Sequence, residues 1–147
     1  MSYLDHIRAC NNLDLAHFRP FEIDGRAVGW VHRKNIETLT AYADVFVINE
    51  ERVTLASGLD DFETRSAAVA PVVEGLAASG ATLAPRAEFY AISEDRHLPP
   101  LMQIERSAVP FFGIQASGVH MNGFVRRADG LHMWIARRAS GKMTYPG

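Results

Sequence analysis

Hydrophobic residues near the start of the chain first follow helical spacing and then strand spacing. An apolar pattern of helical period after Ser2 predicts a short amphipathic helix that ends near Asn11 and Asn12. Apolar runs then lie on both sides of Asp24-Gly25. This dipeptide predicts a β-hairpin, because both central residues of such a tight turn need positive φ.

The next segments predict two helices with a second strand pair between them. We expect a helix over residues 33–43 and two strands, at 45–48 and 53–56. The most apolar helix of the chain follows and ends at Gly80. Pro71 within it predicts either a kink or the first turn of the helix.

The remaining pattern completes an α+β fold. Residues 87–92 predict a strand, and residues 101–105 are interpreted as a short helix or a connector. Residues 1–107 are thus expected to form antiparallel hairpins with helices packed on one face. A further hairpin is predicted after residue 110, with Asp129-Gly130 at its turn.

The length and composition of the chain are typical of one globular domain, or of one domain and part of a second. The chain has 147 residues, of which 48% are hydrophobic. Cys10 is the only cysteine, which excludes disulfides and a cysteine-rich zinc site and favours a cytoplasmic location. Because no apolar run reaches about 18 residues, we expect no membrane partner.

Charge is distributed unevenly along the chain. Residues 1–107 carry a net charge of -6 and residues 108–147 a net charge of +4. The basic part is expected to contact an anion, and the alternative is that it docks on the acidic part. Since the basic residues lie within one hairpin and the total charge is negative, we expect no nucleic-acid partner.

Few residues form a pattern typical of catalysis. The sequence contains no phosphate-binding glycine loop, no Gly-x-Ser-x-Gly motif and no compact histidine spacing for a metal. Asp60, Asp61 and Glu63 are compatible with Mg²⁺, but directly before a helix they are better explained as capping residues. We therefore predict no catalytic and no metal-binding residue in this chain.

The strongest candidate for ligand binding is the basic segment of Arg137, Arg138 and Lys142. Arginine offers a planar fork of donors and lysine a compact positive charge, so together they suit a diphosphate. The three residues are predicted to bind substrate.

Residues 118–147 resemble the segment that opens the catalytic domain of Nudix hydrolases in the thiamine diphosphate-related branch. The similarity lies in a Gly-Val-His-x-Asn-Gly strand at 118–123, a Trp-x-Ala-Arg-Arg strand at 134–138 and a Ser-x-Lys-x-x-x-Pro-Gly loop at 140–147. The resemblance implies that residues 108–147 begin a Nudix α/β/α sandwich. It also implies that residues 1–107 form an accessory α+β domain.

The resemblance further implies that the parent protein cleaves a diphosphate bond with Mg²⁺, in thiamine diphosphate or a related small molecule. The glutamate-rich Nudix box that binds the metal in this family does not occur in these 147 residues. We therefore expect substrate binding without catalysis. The alternative is a non-catalytic module that binds a ligand or forms a homodimer.

Overall fold

Helices and strands alternate along the chain in an α+β arrangement, as predicted. The structure is a computed structural model that describes residues 2–119 and 121–141. The helices in this part of the chain are α1 (Tyr3–Cys10), α2 (Ile36–Thr40), α3 (Phe62–Ala78) and α4 (Val109–Phe112). The strands are β1 (Phe18–Ile23), β2 (Arg26–His32), β3 (Phe46–Ile48), β4 (Val53–Leu55), β5 (Phe89–Ile92), β6 (Met102–Glu105), β7 (Phe124–Arg127) and β8 (Gly130–Met133).

Four strands form a mixed sheet in the order β2-β1-β4-β3. The first hairpin turns at Asp24 and Gly25, with φ of 52° and 74°, which confirms the prediction from this dipeptide. β3 and β4 form the second predicted antiparallel pair. The two pairs are joined by parallel pairing of β1 with β4. Short-range patterns do not predict that pairing, because the two strands lie far apart in sequence.

β5 and β6 form a separate antiparallel pair. The interpretation of residues 101–105 as a helix or a connector was wrong, because Met102–Glu105 is a strand. Met102 and Ile104 are buried while Gln103 between them is exposed, which is the two-residue period of a strand.

Helix ends follow local capping chemistry. α1 begins with a capping box, in which the side chains of Ser2 and Asp5 each accept a hydrogen bond from the backbone amide of the other residue. α3 begins with a capping box at Asp61. Pro71 lies inside α3, so the alternative that this helix begins at Pro71 is wrong. The predicted second helix is divided into a 3-10 turn, Arg33–Asn35, and the short α2.

The hydrophobic core lies in the first of two compact units, which divide after Ala116. Among the described residues, the buried hydrophobic ones all lie between Phe21 and Ile114. The aromatic rings of Phe21, Phe46 and Phe112 contact one another in this core. α4 contributes to the first unit, so this unit extends nine residues beyond the boundary that charge alone suggests. The net charge of a segment does not indicate how its aromatic side chains pack.

The second unit contains the β7–β8 hairpin. Arg127 pairs with Gly130, so the chain turns at Ala128 and Asp129, one residue earlier than predicted. The positive φ, 135°, belongs to Gly130 at the start of β8. No helix in the described ranges is long and apolar enough to cross a membrane.

Candidate functional site

The predicted substrate-binding residues follow the β7–β8 hairpin. β8 ends at Met133, and the segment with Arg137 and Arg138 continues beyond it as an exposed, irregular chain. The Trp134 amide still donates to the Gly123 carbonyl at 2.8 Å, which continues the pairing by one residue. Lys142 lies outside the described residues, so the joint site of the three cations stays a prediction.

Two further arginines lie on the same hairpin. Arg126 and Arg127 are exposed on β7, opposite Leu131 and Gly130 of β8. A guanidinium that is open to solvent is able to meet a phosphate without first losing a buried protein partner. The hairpin therefore presents arginines at two places, of which only the segment after β8 belongs to the predicted site.

Of the three acidic residues at the start of α3, Asp61 is the helix cap and Glu63 lies in the first turn, which supports the capping interpretation for these two. The Asp61 carboxylate accepts a hydrogen bond from the Thr64 amide at 2.8 Å. The backbone and side-chain hydrogen bonds from Thr64 lower the pKa of Asp61, because they stabilise its charged form. Within the described ranges, no group of three or more histidine, cysteine, aspartate or glutamate side chains is placed to hold a metal ion.

A buried arginine that sequence reasoning missed connects three distant segments. Arg65 of α3 is 4% exposed. Its guanidinium donates to the carboxylate of Asp24 in the first hairpin turn at 2.9 and 3.0 Å, and to the Leu101 carbonyl at 3.3 Å. It also donates to the carbonyls of Leu59 and Asp60 at 2.8 and 2.9 Å. This network holds structure in place and leaves no open donor face for a ligand.

Glu105 is a second buried charge, at the end of β6. Its carboxylate accepts hydrogen bonds from the backbone amides of Arg86 and Ser107, each at 2.6 Å. Burial alone raises the pKa of this carboxyl, but the backbone hydrogen bonds from Ser107 and Arg86 outweigh it, and the pKa is lowered. Glu105 is therefore an ionised anchor for the backbone and not a general acid.

An open groove of about 670 Å³ lies between α3 and the β5–β6 pair. It is lined mainly by apolar side chains, including Phe62, Val73 and Phe89. Along α3 its exposed lining residues recur at i, i+4, i+7 and i+11, and they are Glu63, Ala67, Ala70 and Glu74. Residues at this spacing lie on one face of a helix. This pattern is the feature of the sequence that points to the groove, and it was not used to predict one.

Comparisons with known proteins match one family to the first unit and two relatives to almost the whole chain. A family described as "Domain of unknown function (DUF4743)" matches residues 2–116. The chain is 35% identical over 156 residues to Nudix hydrolase 20, chloroplastic, of Arabidopsis thaliana, and 34% identical over 149 residues to Nudix hydrolase 24, chloroplastic, of the same plant. Each match covers 99% of this chain but only 42% and 41% of the relatives, in their N-terminal part. The chain thus spans about two fifths of the length of these relatives.

Proposed function

Because the chain belongs to the DUF4743 domain family and is homologous to the N-terminal region of two Nudix hydrolases, we propose that it is the N-terminal portion of a Nudix hydrolase. The observation that carries this proposal is the extent of the similarity. The family match ends at residue 116, whereas the similarity to both plant enzymes covers 99% of the chain. The similarity therefore continues into the basic hairpin unit.

In this proposal the first unit is an accessory domain and the second begins the catalytic domain. The parent protein cleaves a diphosphate bond in thiamine diphosphate or a related molecule. Arg137, Arg138 and Lys142 bind the diphosphate, because guanidinium groups contact phosphoryl oxygens in pairs and the ammonium group adds a point charge. This role needs donors exposed to solvent, and Arg137 and Arg138 are exposed.

Mg²⁺ is the metal proposed for the parent enzyme, where it would polarise the phosphoryl oxygens and help to generate the attacking hydroxide. The residues that the structure describes do not fit such a site, since they include no suitable group of carboxylates. No catalytic step is therefore assigned to this chain.

Its lone cysteine supports a cytoplasmic location, whereas both plant relatives are named as chloroplastic.

Calorimetric titration with thiamine diphosphate tests the proposed binding role. We expect Arg138→Ala and Lys142→Ala each to weaken binding by about tenfold or more, the equivalent of one charge-assisted hydrogen bond of about 1.5 kcal/mol. Arg126→Ala is the matched control, because it removes an exposed arginine from β7 of the same hairpin. Equal affinity in all variants, with each confirmed as folded, would overturn the binding role.

A further inference from the structure

Aspartate or asparagine is followed directly by glycine at three places in the chain. The dipeptides are Asp24-Gly25, Asn122-Gly123 and Asp129-Gly130. In such a dipeptide the backbone nitrogen of the glycine is able to approach the carbonyl carbon of the preceding side chain, because no Cβ atom blocks its path. Attack by that nitrogen closes a succinimide ring. The sequence therefore offers three places at which a side chain is open to modification without an enzyme.

The structure protects the two aspartates. The Asp24 carboxylate accepts hydrogen bonds from the Arg65 guanidinium at 2.9 and 3.0 Å. The Asp129 carboxylate lies 2.9 Å from Nε2 of His132. A side chain with such a partner gives up that interaction before it reacts. A carboxylate is also a poor target for a nucleophile, because it already carries negative charge.

Asn122 has neither form of protection. Its side chain is a neutral amide, is exposed, and has no hydrogen-bond partner within residues 2–119 and 121–141. Gly123 lies outside the helices and strands, directly before β7. Its carbonyl accepts a hydrogen bond from the Trp134 amide at 2.8 Å, but its own amide donates to no residue in the same ranges. The attacking nitrogen and the group that it attacks are thus both unbonded in the part of the chain that the structure describes.

We propose that Asn122 is a site of deamidation. The backbone nitrogen of Gly123 loses its proton and attacks Cγ of Asn122, which forms a C–N bond and closes the succinimide ring. The bond from Cγ to Nδ2 breaks, and the side-chain nitrogen takes up a proton and leaves as ammonia. Water then opens the ring at either carbonyl, which leaves an aspartate or an isoaspartate at this position. Water is the only co-reactant.

Deamidation changes the charge of the basic part of the chain. Residues 108–147 carry a net charge of +4, and a carboxylate at position 122 lowers this charge by one. The hydrogen bond between Gly123 and Trp134 brings position 122 beside the segment that leads from β8 to Arg137. The modification therefore weakens the positive potential that the hairpin presents to anions.

Peptide mapping by mass spectrometry, after incubation of the whole chain in ¹⁸O-labelled water at mildly alkaline pH, tests the proposal. The label enters only where a ring has been hydrolysed during the incubation. We expect it to accumulate at Asn122 at least about tenfold faster than at Asn12, an exposed asparagine that is followed by the bulky Leu13. The rate at Asn122 should rise with pH, because the attacking nitrogen must lose its proton.

Gly123→Ala separates this chemistry from simple exposure. A Cβ atom at this position lies 3.6 Å from the nearest atom of Trp134, which is an ordinary contact, so alanine fits the fold. We expect the variant to deamidate about tenfold more slowly, because the added methyl group hinders the attack. The matched control is Gly118→Ala, which adds a methyl group in open space and should leave the rate unchanged.

Circular dichroism of both variants checks that the fold is kept. A chain without label at Asn122, equal rates at Asn122 and Asn12, a rate unaffected by Gly123→Ala, or an equal loss with Gly118→Ala would each overturn the proposal.

Discussion

Among single residues, two buried charged side chains, Arg65 and Glu105, hold distant segments of the first unit together. Arg65 joins α3 to the first hairpin turn and to the segment before β6, and Glu105 holds the backbone on both sides of the β5–β6 pair. Buried charges are stable only where several partners satisfy them. Those partners lie between 2 and 41 residues away in sequence, so no local pattern predicts which arginine or glutamate becomes buried.

Replacing Arg65 tests the first of these networks. We expect Arg65→Met to lower the free energy of unfolding by about 2–4 kcal/mol, because several carbonyls and the Asp24 carboxylate lose their donor. Asp24→Asn is the comparison, and it should cost less than about 1 kcal/mol, since the half-exposed carboxylate is the weaker part of the network. Urea denaturation of both variants measures the difference. Equal losses would contradict this description of Arg65.

Glu105 gives the protein a specific dependence on pH. Its pKa is lower in the folded state, so its contribution to stability is present above the unfolded-state pKa and is lost as the pH falls through the folded-state pKa. At pH 7 we expect Glu105→Gln to lower the free energy of unfolding by about 1–3 kcal/mol. As the pH falls through the lowered folded-state pKa, the difference from the unaltered chain should shrink, because the carboxylate becomes protonated.

Denaturant titrations at several pH values provide this comparison. Glu94→Gln, at an exposed position, is the control and should have little effect at any pH. A loss for Glu105→Gln that stays constant down to acidic pH would show that the charge of Glu105 is not what stabilises the fold.

At the scale of helices and strands, local chemistry predicted most elements and missed those that depend on distant partners. The capping residues Ser2 and Asp61 and the Asp24-Gly25 turn were readable because their signals lie within a few residues. β6 was missed because a four-residue segment carries too few positions to separate a strand from a connector. Its strand state is fixed by β5 and by the Gln103 amide, which donates to the Ser66 hydroxyl at 3.0 Å.

The end of α4 depends on close approach to β2. Gly113 has φ of 58°, and a Cβ atom there would collide with the Trp30 carbonyl oxygen. Gly58 also has a positive φ, 88°, but open space around it. We expect Gly113→Ala to destabilise the fold by at least about 2 kcal/mol more than Gly58→Ala, because only the former adds a clash to backbone strain. Thermal unfolding of the two variants tests this, and equal melting temperatures would contradict it.

At the scale of the whole molecule, the chain combines a unit with its own hydrophobic core and a small basic hairpin unit. Net charge differs between the two parts of the sequence, and α4 with its aromatic side chains lies within the first unit. The binding site could be predicted only as a group of cations in sequence. Such a group becomes a pocket only through surrounding structure, and Lys142 lies outside the described residues.

The proposed function of this chain is to bind a diphosphate through its basic segment without cleaving it. ³¹P NMR of thiamine diphosphate with the chain and Mg²⁺ tests both parts in one sample. We expect the phosphorus signals to broaden or shift with the unaltered chain, to respond less with Arg138→Ala, and to show no conversion to monophosphate and inorganic phosphate. Conversion that follows the protein through repurification would contradict this proposal, as would signals unchanged at the highest protein concentration.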